Sequence, residues 1–367
     1  FAWIVLTYSL KFLWSPLLDR YSLSVLSFAP GLRRGWMLTS QVLLLVSIAA
    51  LGTLDPQQQL WPIAWLCLGI ATLSATQDIV LDAYRRQILP DNELGLGNSI
   101  HVNAYRIAGL VPGSLSLILA DSMAWDTVFL ITAAFMLVGI IMSLSITEPP
   151  AVSNSPRSLK DAVVAPFEEF FSRQGTQQAL LILAFMLLYK LGDSMATALA
   201  TPFYLDMGYS KTEIGLVAKQ AALWPVIIGG MLGGVLMLKI GINRALWLFG
   251  FVQIISILGF AVLARIGEGL WLLGLVIGFE YLGVGLGTAA FVAFIARTTN
   301  AAFAATQLAL FTALTAIPRT IASASTGIIV DTIGWESFFY LCTLMAVPGM
   351  LLLLKVAPWH SDQTSSD

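Results

Sequence analysis

Ionisable side chains stand inside stretches of this chain that otherwise read as continuous hydrocarbon: Lys11, Asp78, Asp82, Arg106, Lys190, Asp193, Lys219, Glu280 and Arg319. A charge in an apolar, water-poor medium is costly, so such residues are by default candidates for a pathway or a relay. The chemistry open to them is narrow. A carboxyl taken out of water favours its neutral form and can bind and release a proton. A guanidinium stays charged and presents a planar fork of donors that matches a carboxylate. Asp78 and Asp82 are four residues apart and share one helical face, with Lys11 a candidate partner for Asp78. Asp78, Asp82 and Glu280 are therefore candidates for proton coupling. A competing reading of Asp82 has it join Arg85 in bracing the Asp19–Arg20 loop as a gate. Lys190 and Asp193, three apart, either neutralise each other or contribute to a binding site. Arg106 and Arg319 either face an anionic ligand or pair with carboxylates of the protein. Gln77, Asn103, Tyr105, Gln220, Trp224 and Gln307 add amides and aromatic rings of the kind that recognise sugars. Lys219 is close enough to a span end to snorkel to the surface, and His101, near another end, reads as an edge residue.

These residues need elements that hold them at depth, and composition says what those are. The 367 residues are 57% hydrophobic and 11% charged, with a mean hydropathy of +0.83; about 25% charge is usual in soluble proteins. Spans of roughly 20 apolar residues are expected near 1–18, 36–54, 61–84, 97–120, 125–146, 177–205, 212–238, 243–264, 270–296, 304–330 and 335–356. Cys67 and Cys342 both fall in spans, which disfavours a disulfide framework or a metal site. The long polar break, 147–178, carries Arg157, Lys160, Glu168, Glu169 and Arg173 among Leu159, Val163, Val164, Phe167, Phe170 and Phe171. It fits either an amphipathic helix on the membrane surface or a solvated linker. Loops on one side hold Arg20, Arg33, Arg34, Arg85, Arg86, Arg157, Lys160, Arg173, Lys239, Arg244, Arg297 and Lys355, against Lys211 and Arg265 on the other. The first side is expected to be cytoplasmic. That orientation puts Phe1 outside, so the sequence reads as lacking one preceding helix. At 1.5 Å per residue, Lys11, Arg106 and Glu280 lie about 15 Å inside their spans, and Lys190 and Arg319 about 20 Å.

The chain also repeats itself. Arg106…Asp121-Ser-Met-Ala-Trp125…Phe129 resembles Arg319…Asp331-Thr-Ile-Gly-Trp335…Phe339, and Leu18-Asp19-Arg20 with Arg33-Arg34 sits where Lys239 and Arg244 sit in the second half. Asp78 and Asp82 have Ala290 and Phe294 as counterparts, so the acidic pair is peculiar to one half. Two six-helix parallel repeats, the first without its opening helix, mark the major facilitator architecture, with substrate held near midplane. The expected fold class is thus an all-α integral membrane protein with eleven visible spans. Its expected parts are an N-terminal bundle 1–146, a cytoplasmic linker 147–178, a C-terminal bundle 179–360 and a polar tail 361–367.

Three stretches go further. Lys11-Phe-Leu-Trp-Ser-Pro-Leu-Leu-Asp-Arg-Tyr21, Ala75-Thr-Gln-Asp-Ile-Val-Leu-Asp-Ala-Tyr-Arg85, and Asn98 to Gly113 with Tyr105-Arg-Ile-Ala-Gly109 resemble the second, fourth and fifth helices of the AmpG family of muropeptide permeases. Related acetyl-CoA transporters share parts of these motifs. The resemblance implies import of anhydromuropeptides, GlcNAc-anhydro-MurNAc with or without peptide, across the bacterial inner membrane for peptidoglycan recycling. It also implies coupling to the proton gradient, with no other cofactor, no metal and no nucleic-acid partner. The alternatives are another organic anion, such as acetyl-CoA, or a non-transporting membrane receptor. No phosphate-cradling loop, nucleophile elbow or dinucleotide fingerprint is present, so an enzyme is not expected. The expected substrate residues are Lys11, Arg106, Arg319, Gln77, Asn103, Tyr105, Lys190, Asp193, Gln220 and Trp224. The expected gate is Asp19, Arg20 and Arg85.

Overall fold

The structure, a computed structural model, describes residues 7–23, 31–150, 159–267 and 269–359. Among the described residues the regular structure is helical throughout, with no strand. In hydrocarbon every backbone N–H and C=O must be bonded within the chain, and a helix does so inside one segment. After a single turn at Lys11–Leu13 come α1 (Ser15–Arg20), α2 (Leu32–Leu51), α3 (Leu60–Ile88), α4 (Leu94–Ala120) and α5 (Trp125–Ser145). Then follow α6 (Leu159–Gln174), α7 (Thr176–Asp206), α8 (Lys219–Ile266), α9 (Leu270–Thr298) and α10 (Ala304–Val356). Eight helices among the described residues are long and apolar enough to cross a membrane.

Two of these helices are too long to be one span each. The 48 residues of α8 would run about 72 Å if straight, more than twice a hydrocarbon core of about 30 Å. The helix breaks at Gly241, where φ 77° and ψ 165° lie outside the helical range. In α10 the break falls at Gly334, with φ 75° and ψ 167°. Positive φ is a conformation that glycine enters without steric cost, so each break sits where the sequence permits it. In α4 the helix widens to a π turn over Val111–Leu115, where Pro112 supplies no backbone N–H.

Contacts divide the chain into two compact units assembled from separated segments. The first comprises 1–90, 105–170 and 299–313. There α2 packs on α3 and along α5, and a small core gathers Leu18, Met37, Ile79, Val80 and Ala83 with Ala304, Ala305 and Ala309. The second comprises 91–104, 171–298 and 314–367. Its principal packing is α8 on α9, and its core is aromatic, with Phe203, Phe260, Phe338 and Phe339 stacked edge and face. Large apolar side chains also cover the outside, including Trp61, Ile118, Val138 and Leu354. So much exposed hydrocarbon suits a protein whose solvent there is lipid.

Candidate functional site

In the first unit the turn Lys11–Leu13 lies against α3. Trp14 Nε1 donates to Thr76 Oγ1 at 3.1 Å, and Tyr8 shares a hydrogen bond with Ser74. Three residues spaced by four on α3, Ser74, Asp78 and Asp82, therefore form one polar stripe. Lys11 is buried, and its Nζ donates to Asp78 Oδ2 at 2.6 Å; the Asp78 side chain is 38% exposed. Asp82 Oδ1 takes a charge-assisted bond from Arg85 at 2.6 Å. Each carboxylate of the acidic pair thus has its own cation, although the two still approach within 4.8 Å of one another. Gln77 and Arg106 are half-buried, and Tyr105 is 77% exposed.

The second unit holds another buried ionic cluster. Lys190 and Asp193 on α7 pair at 2.6 Å. Glu280 on α9 is 0% exposed, and neither of its carboxyl oxygens has a hydrogen-bond partner. Its neighbours are Asp193, Ser256 and Lys190, but the Ser256 hydroxyl donates to the Gln253 carbonyl at 2.9 Å. Gln253, Asp193 and Tyr189 line a small, partly open cavity at this cluster. Asn103 is buried against Gly230. Gln220 accepts from Trp224 Nε1 at 3.2 Å on an exposed face of α8. Arg319 lies in α10, and its side chain is outside the described residues, as is that of Lys219.

A third constellation, within the first unit, was only partly visible in the sequence. Asp19, at the end of α1, is 3% exposed. Its carboxylate accepts from Ala305 N at 3.3 Å, Thr306 N at 2.9 Å and Thr306 Oγ1 at 2.8 Å. These are orphan donors in the first turn of α10, where the helix dipole also favours negative charge. Arg33 Nη2 completes the shell at 2.7 Å. Arg33 is itself buried, with further bonds to Leu18 O and Gln87 Oε1. Arg86 and Gln87 reach the carbonyls of Thr299 and Ala301. From the other direction, Glu169 on α6 accepts from Asn300 Nδ2 and Gln307 Nε2, each at 2.8 Å, and Phe170 sits edge-on to Phe311 at 5.1 Å.

The start of α10 is therefore gripped by α1, α3 and α6. Arg20 is exposed, its guanidinium over the Tyr21 ring, and Arg85 serves Asp82. Gln307, offered by its amide as a sugar contact, is 1% exposed and bonded to Pro166 O and Glu169. Arg33, Arg86, Thr306 and Glu169 went unnoticed as site residues. The first two read only as loop charges, and backbone donors leave no mark in a sequence.

Comparison with known proteins gives these clusters a setting. Residues 1–323 match the Major Facilitator Superfamily. An uncharacterized protein of Haemophilus influenzae is 53% identical over 376 residues, covering 99% of this chain and 87% of that protein. The anhydromuropeptide permease of Escherichia coli K12 is 42% identical over 356 residues, covering 96% of this chain and 71% of the permease. Among solved structures, the human organic anion transporter MFSD10 aligns with a TM-score of 0.71 at 16% identity, over 96% of this chain and 82% of that one. The proton:xylose symporter XylE aligns at 0.67 and 13% identity, over 97% and 85%. Both structural likenesses speak to fold alone. With its apolar helices, the chain is a multi-pass membrane transporter and not an enzyme. It belongs to the major facilitator superfamily and, within it, to the AmpG family of permeases.

Proposed function

We propose that this chain imports anhydromuropeptides, GlcNAc-anhydro-MurNAc with or without peptide, across the bacterial inner membrane by proton symport for peptidoglycan recycling. What supports the substrate class is the 42% identity with the E. coli permease, sustained over 96% of the chain. Dividing α8 at Gly241 and α10 at Gly334 turns the eight long apolar helices of the described residues into ten spans, and the expected span near 1–18 would be the eleventh. The basic side chains then lie mostly at the cytoplasmic ends, and the proton gradient serves in place of any resident cofactor.

Glu280 is the observation that carries the coupling. A carboxyl that is 0% exposed, with no donor on either oxygen, cannot stay ionised cheaply. Lys190, the nearby cation, is already paired with Asp193. Glu280 therefore binds a proton in this state and releases it when water or a cation reaches it. Asp78 is the second coupling candidate, because protonating it would free Lys11 for an anionic group of the cargo. Asp82 is the third, held to Arg85. Arg106 supplies a fixed cation for the carboxylates of lactyl or peptide groups, with Asn103 and Tyr105 beside it in sequence, and Gln77 on α3, for the sugars. Lys190, Asp193, Gln220, Trp224 and Arg319 complete the proposed binding set, and Asp19, Arg20 and Arg85 the proposed gate.

The test is uptake of labelled GlcNAc-anhydro-MurNAc-peptide by the full-length protein in proteoliposomes, with and without an inward proton gradient. Accumulation that needs the gradient, and that acetyl-CoA does not displace, is the expected result. Well-inserted protein that binds the muropeptide without moving it would instead make the chain a receptor. Competition by acetyl-CoA would reassign the cargo.

A further inference from the structure

The turn between the two arms of α8 borders a half-open cavity of ≈ 380 Å³ that none of the transport chemistry uses. Ligand pockets usually span about 300–1,000 Å³, so this one suits a headgroup-sized group. Its lining is basic: Lys239, Arg244 and Arg297, with Asn92 beside them and Asp91 as the acid. Gly241, with its positive φ, makes the turn that brings Lys239 and Arg244 to one opening.

The two arginines are held in place. Arg297 donates to Asn243 Oδ1. Arg244 Nε donates to Trp359 O at 3.3 Å, and its guanidinium lies 6.0 Å from the Trp359 ring centre. The 357–359 segment is stitched to the same turn through Asn243 Nδ2 to Pro358 O at 3.3 Å and Trp247 Nε1 to Ala357 O at 3.1 Å. Lys239 is exposed and makes no ion pair among the described residues.

The pocket also adjoins exposed apolar side chains. Leu238 is in its lining and 49% exposed. Behind it Val235, Leu232, Met231 and Ile228 continue an exposed apolar stripe up the first arm of α8, at 45%, 45%, 38% and 56%. These positions recur at three- and four-residue steps, so they share one face, and the glycine face of the same arm is turned into protein contacts. A soluble anion would use the cations and ignore the stripe. A phospholipid uses both.

We propose that this pocket binds one anionic phospholipid. Its phosphodiester would sit among Lys239, Arg244 and Arg297, its headgroup hydroxyls near Asn92, and its acyl chains along the Ile228–Leu238 stripe. The proposal is independent of what the protein carries. The shared chemistry is a phosphate group, which a free phosphate also offers, so the test separates the two sources.

Full-length protein in neutral detergent is titrated with phosphatidylglycerol, phosphatidylethanolamine, glycerol phosphate or inorganic phosphate, reading the thermal unfolding midpoint and, by native mass spectrometry, the lipid retained. Phosphatidylglycerol should raise the midpoint saturably with one lipid retained, and the zwitterionic lipid should not compete. Lys239→Gln should weaken that response about fivefold, the usual value of one basic residue at an anionic surface, and Lys239→Glu should abolish it. Lys355→Glu, the same charge change at another exposed lysine, should leave it intact. Equal titrations for wild type and Lys239→Glu would overturn the site. So would equal losses in the Lys239 and Lys355 variants, which would mean diffuse surface charge. A full response to glycerol phosphate or inorganic phosphate alone would make it a soluble-anion site and overturn the lipid assignment.

Discussion

Asp19 shows how much one side chain can organise. Four donors converge on its carboxylate, from Arg33, the Ala305 backbone, and the backbone and hydroxyl of Thr306. Removing the carboxylate strands Arg33, itself 2% exposed, and breaking a buried pair in this way costs about 3–5 kcal/mol. Asp19→Ala should therefore lower the detergent unfolding midpoint sharply, while Asp19→Leu combined with Arg33→Met should recover part of the loss. Strictly additive losses in the two single variants and the double variant would show that the two residues are not coupled. The pairs legible in the sequence were the local ones. Asp82–Arg85 and Lys190–Asp193 are three residues apart on a helix, so spacing alone puts them in reach. Lys11 with Asp78 was a conjecture from depth. The Asp19 shell was out of reach of such reasoning, because two of its donors are backbone amides and all of its α10 partners lie more than two hundred positions away.

At the scale of helices, the α8–α9 contact is close enough for backbones to meet. A methyl group on Gly285 would stand 2.8 Å from the Gly230 nitrogen, whereas one on Gly278 would find its nearest neighbour, Pro225 Cγ, at 3.8 Å. Gly285→Ala must push the helices apart, an overpacking of about 1–3 kcal/mol. Gly278→Ala should be neutral or slightly stabilising, since it only restricts the unfolded chain. Unfolding midpoints of the two variants check this, and indistinguishable values would mean that α8 and α9 part without cost. The glycines at 229, 230, 233 and 234 read as small-residue packing in the sequence, and they do pack closely, against Leu282, Asn103, Ala289 and Ser99. The expected ends at 238 and 243, and at 330 and 335, bracket Gly241 and Gly334, because a long apolar run can turn only where polar residues and a permissive φ coincide. The 147–178 segment was ambiguous between surface helix and linker for a physical reason. Its α6 portion is helical, yet it buries Phe170 against Phe311 and leaves Phe167 exposed, a choice fixed by partners far away in the chain.

Charge balance over the whole molecule separates the coupling candidates. Asp78, Asp82 and Asp193 each have a cation at 2.6 Å. Glu280 has none to itself, and its surroundings are Asp193 with its committed lysine, and Ser256 with its committed proton. Neutralising Asp78 uncovers the buried charge of Lys11, whereas neutralising Glu280 leaves the Lys190–Asp193 pair in place. The two substitutions should therefore fail differently. Glu280→Gln fixes the protonated form: it should keep exchange of labelled for unlabelled muropeptide across proteoliposomes, with a rate no longer dependent on pH, and lose accumulation against a gradient. Asp78→Asn should slow exchange and accumulation together, because the Lys11 site itself is disturbed. Were Asp78→Asn to keep pH-independent exchange and Glu280→Gln to lose all activity while still well inserted, coupling would belong to the Lys11–Asp78 pair and Glu280 would be a structural acid. Normal gradient-driven accumulation by Glu280→Gln would remove it from proton movement altogether.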